Sequence, residues 1–421
     1  MPALLDLNDC NVQLWHGDSH VQSPGYALLR GREYVFGAAA RDAARLRPRD
    51  VNTRFWWQLG TDPLQPPLGP ARHTADLVHA HLQSLHTEAG QPAEIIVAVP
   101  GTMAREQLSL FLGIVQQCPF DAVGLVNRSV ALGSLYGGRR RLFHLELQLH
   151  QAVVAQLALR GDTVSLQHTA PLPGCGLLQL QERLVEVIAN AFVRQTRFDP
   201  RRKADTEQQL YNALPQALRA LQSAGEANLE VSHYRARIAR EDLAAAAQRL
   251  FDGIRNTMRD AGGIDTLIAE PAAALLPGLD TAFPSLQLVE EHAVREALAA
   301  HGDALVQRGQ ALSFVTALPQ LAVRETAEPA RAKVEPGRAA ADESDPTHLL
   351  QDARARRLSA DGTTLREGWE IVRGEDGWQL RGDGPAITIN GAAYAPGQRL
   401  RAGDEIGLGA ERFALLIEVE D

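Results

Sequence analysis

The sequence predicts an α/β region over residues 1–324, a linker over 325–346 and a small all-β sandwich over 347–421. Three observations lead there. "EIIVAVPG" (94–101), a helical stretch and "AVGLVN" (122–127) follow one another in the order of a parallel α/β unit. Residues 142–169 switch to period-two alternation, the mark of half-buried strands. "ETAEPARAKVEPGRAAADESDP" (325–346) is rich in Ala, Pro, Glu and Arg and nearly free of large apolar residues, so it reads as flexible.

"LLDLNDCNVQ" (4–13) opens the chain with an apolar run, an acid and a tight polar turn into a second strand. That order often marks a phosphate loop, but such loops are rich in glycine and this one has none. In "EIIVAVPG", β-branched residues bounded by Pro and Gly read as a buried strand. "TMAREQLSLFLGIVQQC" follows as a helix, then the strand 122–127. Within 142–169 and just before it closes, Arg160-Gly161-Asp162 supplies the turn of a hairpin or meander. Residues 177–221 read as two helices, and "ANLEVSHYRARIA" as a strand pair. A helix follows with Glu241 and Asp242 in its first turn and Gly262-Gly263 at its end. "DTLIAEP" (265–271) is one more short central strand. Beyond the linker, "GWEIVRGEDGWQLRGD", "AITINGAAY", "GQRLRAGDEIGLG" and "ERFALLIEVE" are short strands separated by Gly-containing turns, the pattern of a sandwich.

At 421 residues the chain is too long for one ordinary core. Apolar content of 45% and charged content of 22% are those of a globular protein. The net charge of −9 argues against nucleic acid or an anionic membrane as the main partner. No stretch approaches the roughly 20 apolar residues needed to cross a bilayer. "MPALLDLND" carries acids where a signal peptide would be apolar, so a cytoplasmic location is expected. Cys10, Cys118 and Cys175 are far apart, without metal-type spacing, and read as reduced thiols. Only Lys203 and Lys333 are lysines among the 42 basic residues.

The order of the parts carries a resemblance. "LLDLNDCNVQLWHG" is similar to the first phosphate loop of the DnaK-type heat-shock chaperones, within the actin-like ATPase superfamily. "VFGAAARDAARLRPRDVNTRFWWQLG" and "IIVAVPGTMAREQLSLFLGIVQQCPFDAVGLVNRSVALGSLYG" follow the course of that family, and so do "PGCGLLQLQERLV" and "VSHYRARIAREDLAAAAQRLFDGIRNTMRDAG". The likeness runs in order through about residues 3–300 and implies an actin-like two-lobed ATPase fold around a cleft.

The resemblance also implies which positions would hold nucleotide. Asp6 and Asn11 match the first loop, but Asn8 stands at its glycine. The family's "DLGGGTFD" aligns with "HLELQLHQ" (144–151), where Leu147 and Leu149 replace glycines and no aspartate remains. Its "NEP" aligns with Asn127-Arg128-Ser129, so arginine replaces glutamate, and the adenosine motif aligns with "IAEPAAALLP" (268–277) without its double glycine. Trp57 or Gln58 occupies the neighbourhood of the family's lysine near the attacking water. Phosphoryl transfer needs positioned charges on the phosphate, and losing the acids, the lysine and both loops leaves no catalyst. Asp6, Asn8, Asn11, Gly174 and Gly176 are therefore expected as a vestigial nucleotide site, with no catalytic residue, no cofactor and no metal. For Asp6 and Asn11, turn caps that bond their own backbone are the preferred reading over a ligand role. The alternative is a divergent ATPase, binding ATP and magnesium, that assembles a specific complex.

"WQLRGDGPAITINGAAYAPGQRLRAGDEIGLGAERFALLIEV" (378–419) is similar to the C-terminal half of a forkhead-associated domain, with Asn390-Gly391, Gly403-Asp404 and Gly409 matching. That resemblance implies a protein-binding surface that reads phosphothreonine through arginine, serine and asparagine. Asn390 fits, and Arg356, Arg357 and Ser359 are the nearby candidates. No stretch resembling the chaperone's peptide-binding domain follows the first region. The expectation is thus a non-catalytic, chaperone-like scaffold or adaptor with other proteins as partners, without nucleic acid and without membrane insertion.

Other residues draw the eye. Arg139-Arg140-Arg141 reads as a solvated loop, although it could grip an acidic partner. His73, His79, His81 and His86 read as a scattered surface set, because 81 leaves the helix face shared by 79 and 86. Phe55-Trp56-Trp57 reads as core packing. No Ser/His/Asp or Cys/His set has a spacing that argues for nucleophilic catalysis.

Overall fold

The computed structural model describes residues 1–136, 141–259, 266–309, 311–321, 345–351, 354–359, 361–365, 368–374, 377–382, 384, 387–390, 392–408 and 411–417. Most of the expected linker (322–344) lies outside them, as do Arg139, Arg140, Gly262, Gly263, Gly391 and Gly409. The chain is mixed α/β and divides into two units, Met1–Pro329 and Ala330–Asp421.

The first unit is built on two six-stranded sheets. In one, β1 (Ala3–Asp6) pairs antiparallel with β2 (Val12–His16), which pairs antiparallel with β3 (Ser19–Ser23). The other edge of β1 takes β4 (Glu94–Val99) in parallel, Asp6 standing beside Ala98, and β4 takes β5 (Asp121–Asn127) in parallel. The short strand Phe314–Val315 closes that edge. Because β4 has strands on both edges and cover on both faces, its apolar run "IIVAV" is buried throughout.

The second sheet follows the same plan. β6 (Arg141–Leu147), β7 (Gln151–Arg160) and β8 (Thr163–Pro173) form an antiparallel meander, with Gly161 at φ +62° in the turn that the sequence indicated. β9 (Thr266–Ala269) adds in parallel to β6, and β10 (Leu286–Leu288) in parallel to β9. Ala317–Pro319 completes the sheet beside β8. A meander extended by two parallel strands on its first member thus occurs twice.

Helices cover the sheets. α1 (Thr74–Glu88) and α2 (Arg105–Val115) share a core with β1 and β4, through Leu5, Val97, Leu82 and Phe111. α2 begins later than the sequence indicated, where Gln107 Oε1 accepts the Ala104 N–H at 3.1 Å. α3 (Arg128–Tyr136) is buried over its whole length between the sheets, its Gly133 lying where a Cβ would come 2.4 Å from Leu157. α4 (Leu177–Thr196) and α5 (Ala204–Ala224) pack with the hairpin Glu226–Val231/Tyr234–Ala239 around Phe192, Leu218 and Ile238. The helix expected from residue 240 is interrupted. Arg240–Leu243 forms one turn, Ala244–Ala247 tightens to a 3₁₀ turn, and α6 (Gln248–Arg259) resumes. Four small side chains allow the tight turn to bury Ala246 and Ala247.

The second unit holds a six-stranded and a three-stranded antiparallel sheet that share one core, including Leu349, Ile371, Trp378, Leu400 and Ile406. Its first strand, His348–Gln351, pairs with Glu411–Ile417 near the end of the chain, a partner that local pattern does not reveal.

Candidate functional site

β1, β5, β6 and β9 all deliver chemistry at their C-terminal ends, where parallel strands open into a crevice. Arg128 begins α3 directly after β5 and is 0% exposed. Its Nε and Nη2 donate to the two oxygens of Asp6 at 2.6 and 3.0 Å. Nη1 donates to Glu270 Oε2 at 3.2 Å, and Nη2 donates to Glu270 Oε1. Glu146 Oε2 lies 3.6 Å from Nη1. One guanidinium therefore sits against three carboxylates, from β1, β6 and the residue after β9.

Burial sets the electrostatics. It raises the Asp6 carboxyl against the pull of Arg128. It pushes Glu146 up to about 7, since Arg128 approaches that side chain least. Glu270 is half-buried, and the Arg128 charge and hydrogen bonds outweigh desolvation and hold it low. Arg128 stays charged, because its acidic neighbours overcome the cost of burying it.

The first turn is tied to its own backbone and to this centre. Asn8 Oδ1 accepts the Cys10 N–H at 2.9 Å and Nδ2 donates to Glu270 at 3.3 Å. Asn8 is thus the turn cap; Asp6 is an ion-pair partner, and Asn11 reaches Gln22 at 3.2 Å on the exposed side. Asp9, which the sequence did not single out, crosses between the sheets to accept the Leu149 N–H at 2.8 Å.

The second loop is occupied by its own chain. The Leu177 and Leu178 N–H groups at the start of α4 donate to the Gln148 and Leu149 carbonyls at 2.9 and 3.0 Å. Gly176 meets that loop so closely that a Cβ would lie 2.3 Å from the His150 carbonyl carbon. Gly174, at φ +72°, turns its carbonyl to Arg183, whose Nη2 donates to it at 2.7 Å. Leu147 and Leu149 are core residues, the first with Phe143 and Leu180, the second with Tyr26, Leu28 and Ala40. The expectation of a centre stripped of acids needs correction, since Glu146 and Glu270 converge on Arg128. The acid near the end of β6 and the acid that directly follows the apolar β9 were the available signal.

The histidine set also needs correction, because two members are buried. His81 accepts the Trp56 Nε1–H at 3.0 Å on Nδ1, so Nε2 donates to Ser23 Oγ at 2.7 Å. Burial lowers it to about 3, and it is neutral. His86 stacks on Phe120 and bonds the Pro92 carbonyl at 3.2 Å. Phe55 and Trp56 are core, whereas Trp57 is 38% exposed and stacks on His150. Among the described residues no three His, Cys, Asp or Glu side chains are placed to hold a metal ion. All three cysteines are free.

In the second unit the four candidates are not brought together by the sheet. Arg356 and Arg357 lie in the edge strand Arg354–Arg357, and three strands stand between it and Ile387–Ile389, which precedes Asn390. Four ladder steps correspond to about 19 Å. Asn390, at φ +54°, donates to Asp404 at 2.8 Å and accepts the Glu405 N–H at 2.9 Å. Arg356 donates to Gln351 and to the Thr364 carbonyl, and Ser359 Oγ faces the Asp361 N–H at 3.4 Å.

Two cavities flank the arginine centre. One of about 650 Å³ includes Asn8, Cys10, Leu147 and Glu270; the other, about 380 Å³, includes Asp9, Trp57 and Gln148. No described helix is long and apolar enough to cross a membrane. Comparison with known family models and with curated proteins finds no match to this chain.

Proposed function

We propose that the chain is a non-catalytic, chaperone-like scaffold: an actin-like two-lobed domain with a degenerate nucleotide site, followed by a forkhead-associated-like β-sandwich that binds other proteins. The observation that carries this reading is the Arg128 guanidinium, buried against Asp6 and Glu270. The resemblance places metal and phosphate there, and Arg128 already supplies the positive charge those carboxylates would share with a metal. The two sheets on one plan support the two-lobed reading, and the shared core of the second unit's two sheets supports the sandwich.

The residues present do not fit a magnesium-bound triphosphate. The N–H groups at the start of α4 are consumed by Gln148 and Leu149, Asn8 is closed on its own turn, and the carboxylates at that end already hold Arg128. A phosphate here would face Asp6, Glu146 and Glu270. An adaptor role with dedicated protein partners follows, in a cytoplasmic setting and without nucleic acid or membrane insertion.

The test is a thermal-shift titration of the full chain with Mg-ATP beside a phosphate-release assay. The expected result is no shift and no turnover above a protein-free control. Hydrolysis that disappears in Asp6→Ala would overturn the proposal and favour the divergent ATPase.

A further inference from the structure

The smaller cavity, about 380 Å³, has a wall unlike that of an anion site. Its lining includes Trp57, Thr102, Met103, Gln148 and Thr169, and among the described residues Asp9 is its one ionisable side chain. Asp9 is 8% exposed, and among the described residues no cation pairs with it. The groups around it supply no positive charge at neutral pH. Burial raises the Cys10 thiol and the Tyr26 phenol, so both are uncharged, and it lowers His150. Glu146 is reached through Gln148, which donates to it at 2.7 Å, and Arg128 is already engaged by Asp6, Glu146 and Glu270. Three carboxylates thus already share the one guanidinium, and Asp9, which has no part in that cluster, borders open space.

A second observation is independent of charge. Thr169 Oγ1 and Asn127 Nδ2 are buried without hydrogen-bond partners. Both adjoin Gly101 on the cavity wall, where a Cβ would lie 3.0 Å from the Thr169 oxygen and 2.9 Å from the Asn127 nitrogen. Asn127 is fully buried, so leaving its N–H without an acceptor is costly. Any side chain on residue 101 would close that niche.

We propose that this cavity binds an organic cation, an ammonium or guanidinium on a short apolar stem, with its charge at Asp9 and its stem against Trp57 and Met103. An amide carbonyl on the ligand accepts the hydroxyl of Thr169, which lines the cavity. Lysyl and arginyl residues carry all three features, and so, except for the carbonyl, do small free amines. Phosphate finds no cation in this lining and is excluded.

The probe is N-acetyl-arginine amide, titrated calorimetrically into the full chain, with the uncharged isostere N-acetyl-citrulline amide as control. The arginine probe is expected to bind at least ten-fold more tightly than citrulline. Its affinity is expected to rise about ten-fold from pH 6 to pH 8, because Asp9, pushed up to about 7, must ionise to bind it. Asp9→Asn should cost at least ten-fold. Trp57→Ala should weaken binding too, and since Trp57 is 38% exposed this variant keeps the test alive if Asp9→Asn does not fold. Agmatine, which lacks the carbonyl, separates the sources: binding equal to the arginine probe assigns a small amine, and weaker binding assigns a protein side chain. Equal binding of arginine and citrulline probes, a flat pH profile, or no binding at millimolar probe at pH 8 would overturn the proposal.

Discussion

Arg128 grips Asp6 with two hydrogen bonds, Nε to Oδ1 at 2.6 Å and Nη2 to Oδ2 at 3.0 Å, although 122 positions separate them in the chain. The pair joins the end of β1 to the start of α3 and leaves neither group in contact with water. Its value to the fold lies less in its attraction than in what its loss would leave behind.

Arg128→Gln should therefore destabilise the first unit by about 3–5 kcal/mol, because three acidic side chains then share a buried site without a cation. Arg128→Lys keeps the charge but loses the fork that matches Asp6, and should fall between wild type and Gln. Urea unfolding measures both. A loss below about 1 kcal/mol for Arg128→Gln would show that water reaches the centre.

The raised acids should weaken the fold as pH rises through neutrality. Glu146 and Asp9 both have folded values raised to about 7 from ordinary values near 4. A raised acid binds its proton more tightly in the folded state, so its contribution is complete below the unfolded value and lost as pH climbs to the folded one. Glu270 is held low and acts oppositely, but only where it titrates, at more acidic pH. Buried His81 and His144, lowered to about 3, act oppositely up to the ordinary histidine value near 6.5, so the acid is isolated by comparing variants: the stability of wild type relative to Glu146→Gln should fall from about pH 5.5 to 8. A difference that rises or stays flat across that interval would contradict this account.

Gly176→Ala should cost about 3 kcal/mol or more, since its Cβ would meet the His150 backbone at 2.3 Å rather than a side chain that could turn away. Gly161→Ala meets nothing within 4 Å and costs only the strain of φ +62°. Paired melting curves compare the two directly.

Asn390→Ala should lower the stability of the second unit by about 1–2 kcal/mol, because it removes the bonds to Asp404 and Glu405 and leaves alanine at φ +54°. Asn390→Gly, which relieves the backbone, should lose less. If instead Asn390→Ala leaves the melting curve unchanged while abolishing capture of phosphorylated partners, the residue serves ligand rather than turn.

Much of the secondary structure was legible in the sequence because it depends on near neighbours. The apolar run at 94–99, the alternation of 142–169 and Gly161 at the hairpin state their own strands and turn. A polar cap for the first turn was expected at Asp6 and Asn11, but it is Asn8 whose short amide reaches its own backbone two residues on. The arginine centre was out of reach by the same logic. Glu146 is the one acid of β6 and Glu270 directly follows the apolar β9, and nothing local says that these strands carry them to the guanidinium that follows β5. His81 looked like a surface residue until Trp56 and Ser23 closed over both ring nitrogens. In the second unit, pairing His348–Gln351 with Glu411–Ile417 joins the two ends of the domain, a contact with no local signature. Periodicity and turn chemistry act over a few residues, so the sequence determined the elements. Burial and ion pairing act between elements distant in the chain, so only the tertiary structure decided which charges met.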